Sequence, residues 1–141
     1  MSYDLMVFEP SAAPRARPQF MEWYKSQTKW SEDHDYNNPE VCSTALQSWF
    51  KEMIKFFPPM NGPFATDDVD DPRMTDYCVG RNVIYSAFAW SCAEDARAKM
   101  KELAVKHEVG FFEVSATDGE LFFPGDSIGN QRPTKPGWKF W

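Results

Sequence analysis

The chain has 141 residues, 43% of them hydrophobic, which suits one domain spanning residues 1–141 that buries roughly 68% of the surface its unfolded form exposes. Fifteen basic against 21 acidic side chains give a net charge of −6, a balance that disfavours nucleic acid and anionic lipid and favours a basic partner. Three cysteines, an odd number without CxxC spacing, read as small buried apolar residues in a reducing compartment. With no window near the ~18 apolar residues of a membrane span, residence in the cytoplasm is expected.

Twelve Phe, 6 Trp and 5 Tyr mean that large rings must supply much of the core. The first six-residue run, Tyr3 to Phe8, is nearly continuous in apolar character and predicts a central strand covered on at least one face. Pro10, Pro14 and Pro18 delay helix formation, after which Phe20, Trp23, Tyr24 and Gln27 fall at i, i+3, i+4 and i+7, predicting a helix over about 18–29. Residues 31–39 are rich in turn formers and acids and read as a loop. A second helix follows, with Ser43 as N-cap or Asn38-Pro39 as an earlier start. Its stripe is Leu46, Trp49, Phe50, Met53, Ile54 and Phe57, and Pro58-Pro59 stops it.

Residues 60–76 form an acidic connection longer than most ordered loops. Strands are expected over 77–79 and 82–90, turning at Gly80-Arg81, with apolar groups on both faces of the second strand. Ser91 and Glu94 match a capping box that opens a third helix with Ala93, Ala96, Met100, Leu103 and His107 on one face. Gly110 permits the exit from that helix into a strand over 110–115, and Asp118-Gly119 turns into a last strand over 120–123. The segment 125–141 ends in Trp138, Phe140 and Trp141, which suit docking on the body or on a second copy.

The order β-α-α-β-β-α-β-β predicts an α+β fold: a ferredoxin-like split βαβ sandwich with a mostly antiparallel sheet and helices on one face. An extra helix occupies the first crossover and a strand is added at the C-terminus.

Chemistry-bearing motifs are weak. Glu32, Asp33, His34 and Asp35 could surround a metal or support acid–base work, but neighbouring loop positions seldom converge on one ion and no second ligand cluster exists. Asp67, Asp68, Asp70 and Asp71 lack the alternating spacing of a calcium loop. Cys42, Cys78 or Cys92 with His34 or His107 has no nucleophile signature around it, and no glycine-rich phosphate loop accompanies Arg15, Arg17, Arg81 or Arg97. No metal, cofactor or catalytic residue is therefore assigned.

The strings from Met1 to Phe8, from Trp30 to Tyr36, from Phe57 to Pro63 and from Val83 to Trp90 together resemble a group of small stand-alone bacterial proteins that includes immunity proteins of polymorphic or contact-dependent toxin systems. That resemblance implies a cytoplasmic inhibitor that binds a cognate toxin without chemistry of its own. The expected partner-binding residues are Trp30, Glu32, Asp33, Asp35 and Tyr36 in the first loop and Asp67, Asp68, Asp70 and Asp71 in the second, acids steering and rings anchoring. The competing expectations are a small-ligand binder or enzyme using a sheet–helix cavity with His34 or His107 as acid–base group, and a module self-associating through its aromatic C-terminal segment.

Overall fold

The computed structural model describes residues 2–32 and 34–124, and the expectations for Asp33 and for the aromatic segment with Trp138, Phe140 and Trp141 lie outside them. Among the described residues the chain is α+β, with strands β1 (Tyr3–Phe8), β2 (Asp76–Val79), β3 (Val83–Phe88), β4 (Gly110–Phe112) and β5 (Leu121–Phe122), and helices α1 (Arg17–Gln27), α2 (Thr44–Met53) and α3 (Ala93–His107). The strands form one antiparallel sheet in the order β2-β3-β1-β4-β5. β1 lies at its centre, Tyr3 opposite Phe88 and Phe8 opposite both Val83 and Gly110.

Strand alternation divides the core in two. Tyr3, Leu5 and Val7 of β1, Ile84 and Phe88 of β3, and Phe111 of β4 pack with Leu46, Trp49, Phe50 and Met53 of α2 and Ala96, Met100, Leu103 and Ala104 of α3. Met6, Phe8, Val83 and Phe112 pack on the other side with Phe20 of α1 and Phe123, edged by Trp23, Tyr24, Trp30 and Tyr85. The expectation of helices on one face is thus corrected: α2 and α3 cover one face and α1 the other. The cause is in the strands, since Leu5 and Val7 alternate with Met6 and Phe8, all fully buried, and leaving either set in water would forfeit about 1.5–3 kcal/mol per side chain. Rings close the α1 side, with Phe8–Phe20, Phe20–Phe112 and Phe8–Phe123 centroids 5.0, 5.1 and 5.2 Å apart.

Local capping follows the sequence in part. Ser43 accepts the Leu46 amide at 3.3 Å and caps α2, while Asn38 caps a separate short 3-10 turn, Pro39–Val41, by accepting the Glu40 amide at 2.9 Å. α2 ends at Met53, before Pro58, yet Phe57 remains fully buried. The capping box at Ser91 does not form, because Trp90–Cys92 is a 3-10 turn and Ser91 is inside it instead of preceding a helix; Glu94 and Asp95 still place negative charge in the first turn of α3. Gly110 is not the residue that ends α3. Glu108 takes the left-handed conformation at φ 59°, and Gly110 is already in β4, where an added Cβ would lie 2.2 Å from the Phe8 ring.

Candidate partner-binding surface

The first acidic loop leaves α1 through Trp30, whose φ of 53° turns the chain back on the sheet. Its indole packs edge-on against Tyr36 at 5.2 Å and Tyr85 at 6.0 Å, so Trp30 and Tyr36 brace each other and the α1 face. The Tyr36 hydroxyl accepts the Glu32 amide at 2.6 Å, and the Tyr36 carbonyl accepts the Val79 amide at 2.8 Å, covering the open edge of β2. Glu32 Oε1 lies 2.6 Å from His34 Nε2 and accepts the Arg81 amide at 3.0 Å. The His34 pKa is raised, chiefly by the Asp35 carbonyl and then by Glu32. Glu32 is therefore occupied within the protein. Asp35 is exposed, one carboxylate oxygen accepting the Asn37 amide at 3.0 Å.

The second loop is tied at its base. Thr75, fully buried, accepts the Met60 amide through its carbonyl and donates its own amide to Pro58, each at 2.8 Å, forming a parallel bridge between Pro59 and Thr75. Beyond this base the turns are made by aspartates: Asp68 accepts the Asp70 amide at 3.2 Å and Asp71 accepts the Arg73 amide at 2.9 Å. Asp67, Asp68 and Asp70 are exposed, Asp71 partly so, and none takes part in an ion pair among the described residues. Met60, Phe64 and Val69 stand among them with 42%, 47% and 73% of their surface exposed. Arg73 stacks over Phe57 at 4.6 Å and pairs with Asp95 at 3.0 Å, anchoring the loop's far flank to the start of α3.

The two loops touch where Gly62, at φ 90°, abuts Asn37; a Cβ there would meet the Asn37 carbonyl oxygen at 2.7 Å. Their acids do not merge. Glu32 is held at the β2–β3 turn by Arg81, whereas the second loop joins the opposite end of that ribbon at Asp76, which pairs with Ala87. Strand rise puts these ends about 16 Å apart. Met60, Phe64 and Val69 escaped the sequence reading because a lone apolar residue in a polar loop has no periodicity to mark it; the density of Asp around them was the available signal.

The other reactive groups serve structure. His107 Nε2 lies 2.8 Å from Glu52 Oε1 and Lys106 pairs with the same carboxylate at 2.9 Å, fastening α3 to α2 and lowering the Glu52 pKa. Tyr85 donates to Asp4 at 2.5 Å, and burial first, then this carboxylate, raises its pKa, as burial does for Tyr24 beside it. Burial also pushes the Cys42 and Cys78 thiols up to about 11, so neither is a thiolate at neutral pH. Arg97 joins Glu113 at 3.2 Å and Glu120 at 2.8 Å, and Lys101 pairs with Glu120, clamping α3 to the β4–β5 edge.

Among the described residues no three His, Cys, Asp or Glu side chains gather as a metal site, and no helix is long and apolar enough to cross a membrane. Compared with known protein families, curated proteins and solved structures, the chain matches none of them.

Proposed function

We propose that this chain is a non-catalytic acidic binding protein: a cytoplasmic bacterial immunity protein that neutralises a cognate toxin by binding a basic surface on it. The observation that carries the proposal is the second loop. Residues 60–72 contain four Asp and no Lys or Arg, and the loop exposes Met60, Phe64 and Val69 among those carboxylates. Exposed apolar side chains in a segment of one charge suit a protein interface, the ring and aliphatics supplying affinity and the acids orienting a cationic partner as it approaches. Arg73, the base that follows the loop directly, is engaged with Asp95 and stacks on Phe57, so the charge at the loop's flank is turned inward. On this reading the first loop contributes Asp35 at the margin, and Trp30, Glu32 and Tyr36 act by holding the scaffold.

The scaffold we propose for it is a ferredoxin-like split βαβ core. The order β4-β1-β3-β2 supports this, since each helical crossover joins strands separated by one antiparallel neighbour; β5 and the α1 layer are additions to it.

The test is a charge reversal of Asp67 and Asp70 to Lys, with Asp68 changed to Asn so that its oxygen still accepts the Asp70 amide, assayed for toxin neutralisation in cells and for the salt dependence of association with the purified toxin domain. Loss of neutralisation with an unchanged melting profile is expected. Retention of both neutralisation and salt slope would sink the proposal.

A further inference from the structure

We propose that Trp90 is a seat for an arginine side chain of the basic partner, joined with the second loop in one binding surface. This rests on the reading of that loop as the surface for a cationic partner, and it names a side chain the partner brings. Trp90 has the largest exposed ring among the described residues, with 52% of its surface in solvent. It opens the 3-10 turn Trp90–Cys92 at the end of β3, and its indole is braced by Tyr3, the ring centroids 5.1 Å apart. Tyr3 is itself buried, its hydroxyl donating to Glu113 at 3.2 Å, so the indole rests on a fixed support. An exposed ring already held in place loses little side-chain freedom when it is covered.

The chemistry of the occupant follows from the ring and its neighbours. An indole face attracts cations more strongly than a phenyl face, and a planar guanidinium stacks on it as well as carrying charge. Among the described residues the protein's own cations lie over phenylalanines, Arg73 over Phe57 at 4.6 Å, Lys99 over Phe56 at 4.1 Å and Lys101 over Phe122 at 4.8 Å, and none lies over Trp90. Glu94, about one helical turn further on, and Asp95 are exposed carboxylates. Arg97 shares Glu113 with Tyr3, and its charge is matched there by Glu113 and Glu120. The turn is also tied to the second loop: the Cys92 thiol donates to the Pro72 carbonyl at 3.5 Å, and Arg73 pairs with Asp95 at 3.0 Å. Two residue steps on each side of the Cys92–Pro72 contact keep the α-carbons of Trp90 and Asp70 within about 25 Å. A footprint of about 800 Å² per partner is roughly 30 Å across, so one partner can cover both.

The test titrates the full chain with hexa-arginine and, separately, with hexa-lysine at constant ionic strength, following the indole N–H signals and the loop amides by NMR. Hexa-arginine should shift the Trp90 indole together with the Asp67, Asp68 and Asp70 amides, while the indole of Trp49, buried and donating to the Met100 carbonyl at 3.4 Å, stays in place. It should bind about threefold more tightly than hexa-lysine. Trp90→Leu should lose that preference with the hexa-lysine affinity little changed, and Trp90→Phe should keep part of it. Asp67→Asn combined with Asp70→Asn should weaken both peptides alike. If the loop amides shift and the Trp90 indole does not, or if Trp90→Leu keeps the wild-type preference, the arginine seat is overturned and the loop reading stands. Loop amides that stay still while the Trp90 indole responds would overturn the loop reading instead.

Discussion

The two acidic loops look alike in sequence and differ in what the fold does with them. In the first, each identified ring and the one glutamate has a partner inside the molecule: Trp30 on Tyr85, Tyr36 on Trp30, Glu32 on His34 and Arg81. In the second, the base is fastened by the Pro59–Thr75 bridge and Phe64 sets one edge against Phe50 at 6.3 Å, while the rest of the crown, with Val69 and three aspartates, is exposed. Acid and aromatic content therefore do not by themselves mark a binding surface. What separates the loops is contact with the sheet: the first lies along the open edge of β2, where unpaired backbone groups need covering, and the second leaves from the strand's other end, where its acids meet no backbone edge to pair with.

That contrast can be broken by paired substitutions. Trp30→Ala should cost about 2–3 kcal/mol of unfolding free energy, whereas Phe64→Ala should cost about 1 kcal/mol or less, both from urea denaturation at constant slope. Equal losses would erase the distinction. Gly62→Ala probes the point where the loops meet; a Cβ at φ 90° and 2.7 Å from the Asn37 carbonyl should cost about 1–2 kcal/mol, visible as a lowered denaturation midpoint. Tyr36→Phe removes the acceptor for the Glu32 amide and should cost about 1 kcal/mol, with faster exchange at that amide as its local signature. The smallest effect on stability belongs to Asp67, Asp68 and Asp70 changed together to Asn, within about 0.5 kcal/mol by the same denaturation, because Asn keeps the oxygen that caps Asp70. The same variant should flatten the salt dependence of association with a basic partner, measured by stopped flow.

Strand and helix order was legible because it depends on neighbours in the chain. The continuous run of β1, the stripe Leu46, Trp49, Phe50 and Met53, and the Asp118-Gly119 turn all produced the elements expected of them. Signals that depend on which backbone approaches which were less faithful. Gly110 looked like a helix exit and instead makes room for Phe8, a residue 102 positions away in the chain and directly opposite in the sheet. Ser91 looked like a cap and was drawn into a 3-10 turn at the end of β3. The placement of α1 could have been anticipated: apolar groups on both faces of β1 and β3 required two covers, and one helical layer can provide only one.

For the candidate surface, composition alone set the acidic character and the number of aromatic rings available, since charge and hydropathy belong to residues wherever they are placed. Tertiary structure decided which of those groups stayed accessible. Burial and pairing result from contacts between distant segments, and the β2 edge, the Arg81 amide and the Gly62–Asn37 contact took up the first loop while the second kept its aspartates and apolar side chains in solvent.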